Sequence, residues 1–111
     1  MSDCIFCKII DGQIPANTVY EDDNFLAFHD IQPKAKVHVL VIPKKHLPTF
    51  MDVHEEDIPL MGKMHKVIQE IAKKTGIDEQ GFRVVTNCKD HGGQEVFHLH
   101  YHVIGGQKLS F

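Results

Sequence analysis

The segment that most constrains the fold is EVFHLHYHVIGG, residues 95–106, in which histidines alternate with apolar residues. A period of two is typical of a β-strand that has one polar and one apolar face. The pattern predicts a strand over residues 96–104, with one face formed by His98, His100 and His102. The opposite face, directed toward a core, is predicted to carry Phe97, Leu99, Tyr101 and Val103.

Four further strands are predicted from runs of β-branched and aromatic residues that are bounded by turn residues. They cover residues 18–21, 25–29, 36–43 and 81–87. The third of them, KVHVLVIP, has apolar side chains on both faces, which is typical of a central strand covered on both sides.

A long helix is predicted within residues 51–77, and a short one within CIFCKIIDGQIP near the N-terminus. Asp52 and Glu55 have the spacing of a capping box, Pro59 indicates an irregular first turn, and the stretch ends at Gly76-Ile77. The apolar stripe of the long helix is predicted to consist of Met61, Met64, Ile68, Ile71 and Ala72. Five strands with short connections around one main helix indicate an α+β fold with a five-stranded antiparallel sheet.

Composition narrows the class of protein. The 111 residues carry a net charge of −3 with a pI near 6.3, so no global positive charge favours nucleic acid. No apolar run reaches the ~18 residues of a membrane helix, and the N-terminus lacks the basic region of a signal peptide. Three cysteines, an odd number, favour reduced thiols or a metal site over a disulfide framework. We expect a single domain, residues 1–111, in a soluble cytoplasmic protein without nucleic-acid or membrane partners.

Two functions fit three histidines on one strand face. Neighbouring histidines there have Cα atoms about 6.6–6.8 Å apart, close enough to share a metal ion or a phosphate. In one interpretation they form a catalytic zinc site with an open coordination position. In the other, one neutral imidazole is a nucleophile and the preceding loop, HGGQE, holds an anionic electrophile. The loop favours the second interpretation, a nucleophilic histidine. Gly92 and Gly93 let backbone N–H groups approach a phosphate, and Asn87 can donate an amide N–H.

These motifs carry a resemblance to a known family. HLHYHVI matches the pattern His-φ-His-φ-His-φ-φ, in which φ is apolar. The match extends over nearly the whole chain through IFCKII, IPA, VYEDD, AFHDIQPKAKVHVLVIPKKH, VVTN and HGGQEVFHLHYHVIGG. The chain resembles the Hint branch of the histidine triad family, whose members are homodimeric purine nucleoside phosphoramidases. This resemblance implies a sheet continued across a homodimer and hydrolysis of the P–N bond of adenosine 5′-phosphoramidate or aminoacyl-adenylate-type substrates.

The resemblance also implies roles for individual residues. His100 corresponds to the nucleophile, which forms a covalent nucleoside-monophosphate intermediate that water hydrolyses. His102 is implied to contact the phosphate and assist proton transfer, and His38 to orient His100 by a hydrogen bond. Asp30 and Ile31 match the pair that binds the ribose hydroxyls and the base. The full set implied for nucleotide binding is Phe6, Ile9, Phe28, His29, Asp30, Ile31, Asn87, Gly93, Gln94, Glu95, His100 and His102.

Two departures from the family pattern concern the leaving group. Glu95 stands where some members have serine, so a hydroxyl contact to the leaving group is not implied. Members whose tail reaches the partner subunit's active site extend beyond GGQKLSF. We therefore expect a looser selection of the leaving group.

Cys4 and Cys7 have the Cys-x-x-Cys spacing of a zinc site, which needs two further ligands. Relatives with CIFC at this place imply a structural zinc with His46 and His98 as the other ligands, and no catalytic metal. Two buried cysteines on a short helix remain the alternative. A redox pair is disfavoured because no thioredoxin-like βαβ pattern surrounds the motif.

Two other functions remain open from the sequence. One is hydrolysis of dinucleoside polyphosphates, as in the related Fhit branch, although GGQEV and IPKKH favour the Hint-like activity. The other is a zinc-stabilised interaction protein whose nucleotide site only senses its ligand.

Overall fold

An antiparallel sheet with the strand order β1-β2-β3-β5-β4 forms the centre of the computed structural model, which describes residues 3–111. Its strands are β1 (Thr18–Glu21), β2 (Phe25–His29), β3 (Val37–Pro43), β4 (Phe82–Val85) and β5 (Tyr101–Gly105). Two helices, α1 (Ile5–Ile10) and α2 (Ile58–Lys74), pack on opposite faces of the sheet. The predicted α+β fold with five antiparallel strands, one long helix and one short helix is confirmed.

Alternation along β2 and β3 divides the core into two layers. The layer under α2 contains the strand residues Phe25, Ala27, Val39 and Val41. The layer under α1 contains Phe6 of that helix with Leu26, Phe28, Leu40 and Ile42. The expected central position of β3, covered on both faces, is thus confirmed.

Helix α2 begins later than the sequence predicts. Two 3₁₀ turns, Phe50–Asp52 and Glu55–Asp57, precede it. The predicted capping box of Asp52 with Glu55 is wrong, because the Asp52 carboxylate accepts from the Thr49 N–H at 2.9 Å and caps the first turn. The buried stripe of α2 consists of Met64, Val67, Ile68, Ile71 and Ala72, with Met61 half-buried beside it.

The strand predicted over residues 96–104 is wrong in its first half. Sheet pairing begins only at Tyr101. The preceding residues leave the sheet because the Leu99 N–H donates at 2.7 Å to the carbonyl of Leu47, in the chain that follows β3. Phe97 is consequently 49% exposed instead of lying in the core. Among residues 3–111, no helix combines the length and apolarity needed to cross a bilayer.

Candidate active site and metal centre

Two cavities on the α1 side of the sheet meet at the triad histidines. The larger, about 390 Å³, is mainly apolar and its walls include Phe6, Ile9, Phe28, His29, Ile31 and Leu40. The smaller, about 350 Å³, is polar and its walls include Gln32, Lys34, Asn87, Gly92 and Gly93. Both are lined by Asp30, Gln32, Glu95, His100 and His102. A ligand with an apolar part and an anionic part would therefore lie across these two histidines.

His100 has a defined tautomer. Its Nδ1 lies 2.7 Å from the carbonyl oxygen of His98, and a carbonyl can only accept a hydrogen bond. The neutral His100 ring therefore carries its proton on Nδ1 and its lone pair on Nε2. The Phe6 ring packs edge-on against the imidazole, with 5.1 Å between ring centroids. His100 can thus present Nε2 to an electrophile.

His102 has the opposite tautomer, set by a chain of hydrogen bonds. The Lys34 N–H donates to His38 Nδ1 at 3.0 Å, so the neutral His38 ring carries its proton on Nε2. That nitrogen lies 2.9 Å from His102 Nδ1, which accepts, and the His102 proton is left on Nε2. The predicted hydrogen bond from His38 to His100 is wrong: His38 bonds to His102 and faces Asp30 Oδ2 at 3.4 Å.

Burial keeps these rings neutral. Burial, together with the neighbouring His100 and His38, lowers the pKa of His102 to about 4. Burial also lowers the pKa of His38. Near neutral pH both rings therefore hold one proton each, as the hydrogen-bond chain requires.

Exchanging His102 for glutamine is expected to remove an acid-sensitive part of the stability. The folded-state pKa of about 4 lies below the ordinary histidine value of about 6.5. Between these two pH values His102 is protonated in the unfolded chain but neutral in the folded protein, so acid favours unfolding. This contribution is complete above about pH 6.5, is lost as the pH falls toward about 4, and amounts to on the order of 2 kcal/mol. Urea unfolding over this pH range measures it, with the exposed His91→Gln as control. An unchanged pH dependence in the His102 variant would contradict the assignment.

The loop between β4 and β5 is held by Gln94. The buried amide of Gln94 accepts from the Lys89 N–H at 2.8 Å through Oε1. Its Nε2 donates to the carbonyls of Pro48 and Val96 at 2.8 and 3.0 Å. The side chain of Gln94 thus holds the loop and lines neither cavity, and its nucleotide contact stays a prediction.

The backbone amides of the loop also differ from the prediction. The N–H groups of Gly92 and Gln94 donate to the Lys89 carbonyl at 3.1 and 3.0 Å, and that of Gly93 donates to Asp90 at 3.0 Å. These three groups are therefore not free for a phosphate. Among residues 3–111, the Glu95 N–H donates to no protein group, and Glu95 lines the polar cavity, so this N–H is available to a ligand.

Replacing Lys89 by glycine is expected to stabilise the protein. Lys89 has φ 61° and ψ −171°, a region that only glycine occupies readily, and residues held there cost about 1–3 kcal/mol. Glycine also has more conformational entropy in the unfolded chain, which offsets part of the relieved strain. The free energy of unfolding should therefore rise by about 1 kcal/mol. The urea midpoint should rise with unchanged slope. Lys89→Ala keeps the strain and serves as control; equal midpoints for the two variants would refute this explanation.

Cys4, Cys7, His46 and His98 form a second cluster beside the triad. Their ligand atoms all lie within 4.8 Å of one another. The Cys4 and Cys7 sulfurs lie 3.4 and 3.6 Å from His98 Nδ1, and His46 Nδ1 lies 3.1 Å from it. Tetrahedral zinc with its usual bond lengths requires edges of roughly 3.5 Å between sulfur and nitrogen and roughly 3.3 Å between nitrogens. The cluster has the dimensions of a Cys₂His₂ zinc site.

The protonation chemistry of this cluster also fits a metal. His98 Nε2 lies 2.8 Å from the Pro43 carbonyl and donates to it, so the lone pair of Nδ1 faces the sulfurs. Burial and the adjacent Cys4 sulfur raise the pKa of the Cys7 thiol to about 11. A cation at the centre of the cluster would offset this cost of forming a thiolate.

Asp30, His38 and His102 form another group with metal-ligand spacing, but its tautomers do not fit. To bind a metal through Nε2, His38 would need its proton on Nδ1. That atom accepts from the Lys34 N–H, so two donors would face each other. The group is consistent with a hydrogen-bond chain, not with a metal site.

Every residue predicted to bind nucleotide, except Gln94, lines one or both cavities. His38 lies behind His102 and lines neither. The sequence analysis did not assign Leu40 or the segment Ile14, Pro15 and Ala16, which complete the apolar wall. The IPA motif was a signal for the latter, whereas nothing in the sequence pointed to the Lys34 N–H.

Comparison with known proteins assigns this fold and site to one family. The family described as scavenger mRNA decapping enzyme C-term binding matches residues 3–110. A purine nucleoside phosphoramidase of Escherichia coli K12 is 46% identical over 106 residues, 96% of this chain and 89% of that relative.

Solved structures agree with this assignment. A histidine triad protein from Clostridium difficile is 50% identical with a TM-score of 0.96, covering 100% of this chain and 96% of that one. A histidine triad (HIT) family hydrolase from Legionella pneumophila is 45% identical with a TM-score of 0.95, covering 98% and 97%. The chain belongs to the histidine triad family and is a hydrolase of that family.

Proposed function

We propose that the protein hydrolyses the P–N bond of purine nucleoside 5′-phosphoramidates through a nucleotidyl intermediate on His100. The observation that carries this proposal is the free Nε2 lone pair of His100 at the junction of an apolar and a polar cavity. The Escherichia coli relative named purine nucleoside phosphoramidase supports the same activity.

In this reaction His100 Nε2 attacks the α-phosphorus, and a new N–P bond forms as the bond to the leaving amine breaks. The leaving nitrogen takes up a proton from the water that later attacks the intermediate, and the Nε2–H of His102 can donate a hydrogen bond to the phosphate. Water then cleaves the N–P bond on His100 and releases the nucleoside monophosphate. Catalysis depends mainly on positioning and on hydrogen bonds to the phosphate.

The two cavities divide the substrate between them. The apolar one receives the purine between Phe6, Phe28 and Ile31, and Asp30 at its edge accepts from the ribose hydroxyls. The polar one receives the phosphate, which accepts from the Asn87 amide and the Glu95 N–H. The Glu95 carboxylate borders both cavities and can accept from a leaving amine.

A comparison of two substrates tests the activity. Adenosine 5′-phosphoramidate should be hydrolysed with a kcat/KM well above that for a diadenosine polyphosphate. The reverse order would favour the dinucleoside polyphosphate hydrolase. Tight binding of adenosine 5′-monophosphate (AMP) without turnover of either substrate would favour a nucleotide sensor.

We also propose that zinc is the metal held by Cys4, Cys7, His46 and His98. Its role is structural, since four protein ligands close the coordination sphere. Hydrolysis by His100 should accordingly continue at a measurable kcat after zinc is removed by a chelator. Activity strictly proportional to zinc content would contradict a structural role.

We propose that two copies of the chain form a homodimer and contact each other along β4. β4 has one neighbour in the sheet of residues 3–111, and its Phe82 and Val84 are 37% and 44% exposed. With Met61 and Tyr101 they line an apolar groove beside α2 that a second copy would cover. Val84→Glu should shift the mass in solution, measured by light scattering, from dimer to monomer. Met51→Glu, an exposed apolar residue elsewhere, is the control; a dimeric Val84 variant would contradict this interface.

A further inference from the structure

Helix α1 connects the metal centre to the nucleotide cavity. The helix has six residues, far fewer than an isolated helix needs to be stable. Its N-terminal end is part of the cluster, because the Cys4 sulfur caps the helix by accepting from the Cys7 N–H at 3.3 Å. A metal bound there would attach this end of α1 to His46, which follows β3, and to His98, which precedes β5.

The same helix forms a wall of the apolar cavity. Phe6 and Ile9 both line it. The Phe6 ring meets Phe28 edge-on at 5.5 Å between centroids and His100 at 5.1 Å. Phe6 lies between the two cysteines in the sequence, so a metal held by their sulfurs would also hold the backbone that carries this ring.

The hydrogen bond that orients the nucleophile, by contrast, is made to the backbone at His98 and not to helix α1. His98 is completely buried and its Nε2–H donates to the Pro43 carbonyl. The neighbouring Leu99 N–H donates to Leu47. These contacts fix the His98 carbonyl that accepts from His100 Nδ1, and none of them involves a metal ligand of α1.

We infer that Cys4, Cys7 and His46 are positioning residues that set nucleotide affinity through α1 and leave the chemistry at His100 nearly unchanged. This inference rests on the proposed nucleotide site. Zinc bound by the cluster holds Phe6 and Ile9 against the base; without zinc, α1 loosens and the base loses one wall of its cavity. Because coupling between two ligands is reciprocal, AMP must tighten zinc binding by the same factor.

Calorimetric titration of the full-length protein with AMP, zinc-loaded and chelator-treated, tests the inference. We expect AMP affinity to fall about tenfold or more without zinc, because that is the effect of losing one contact between an aromatic ring and a base. For phosphoramidate hydrolysis KM should rise by a similar factor, with kcat changed by less than about threefold. Competition with a chromophoric chelator should show zinc bound more tightly, by the same factor, when AMP is saturating.

Three variants separate this coupling from general damage. Cys4→Ser combined with Cys7→Ser should have the affinity of the zinc-free wild type and not respond to added zinc. Cys88→Ser, the matched thiol outside the cluster, should behave as wild type. Ile9→Ala keeps the metal ligands but weakens the wall, so it should bind AMP less tightly and respond less to zinc.

Equal AMP affinity with and without zinc would overturn the coupling while the proposed function stands. A fall in kcat at unchanged KM would also overturn it, since the metal would then act on His100. Absence of AMP binding in both forms would overturn the proposed nucleotide site and the coupling together.

Discussion

Replacing His100 by alanine is expected to lower phosphoramidate hydrolysis by roughly a thousandfold or more, because no other group can form the N–P bond. His102 cannot substitute, since its Nδ1 lone pair is engaged by His38 and its other nitrogen carries the proton. AMP should still bind, because the walls of both cavities remain. The variant should therefore lose kcat and keep its affinity for AMP.

Steady-state kinetics and AMP titration of the same preparation measure the two quantities. The exposed His91→Ala, in the loop before the triad, is the matched control and should retain wild-type kcat. Trapping of labelled nucleotide on the wild-type protein, but not on the His100 variant, would locate the intermediate. A His100 variant with wild-type turnover would refute the nucleophile assignment.

Removing the cluster's metal is expected to produce the largest loss of stability. A ligand that binds only the folded state contributes about 3–4 kcal/mol when present at 100–1,000 times its Kd. For a domain of this size that corresponds to a fall in Tm of more than about 10 °C. The effect is large because only the folded state brings Cys4, Cys7, His46 and His98 together around the metal.

Thermal unfolding with zinc and with a chelator measures this loss. Amide hydrogen exchange should show that protection is lost first in α1, whose six residues depend on the cluster. Cys88→Ser should keep the full response to zinc. Identical unfolding curves with zinc and with chelator would exclude a metal contribution.

Much of the fold could be predicted from local sequence patterns. The bounds predicted for β1 and β2 match the structure, and β3 differs by one residue. Strand alternation and turn residues are properties of neighbouring residues, so the sequence carries them directly. The same holds for the spacing of Cys4 and Cys7 and for the two glycines of the loop.

The hydrogen-bond partners were not readable in this way. Gln94 looked like part of a phosphate loop, but it bonds to Pro48, 46 positions away. His38 was expected beside His100, but β3 and β5 pair in a register that brings its ring to His102. In each case the partner comes from a distant segment, and its position depends on how the strands pack.

The sequence by itself determined the α+β fold, the triad and the candidate ligands of a metal. Only the tertiary structure decided the tautomer of each of these histidines. The His98 carbonyl sets the tautomer of His100, the Pro43 carbonyl that of His98, and the Lys34 N–H, through His38, that of His102. The physical reason is that an imidazole has two nitrogens and one proton when neutral, and the group facing each nitrogen decides which is nucleophile, donor or ligand.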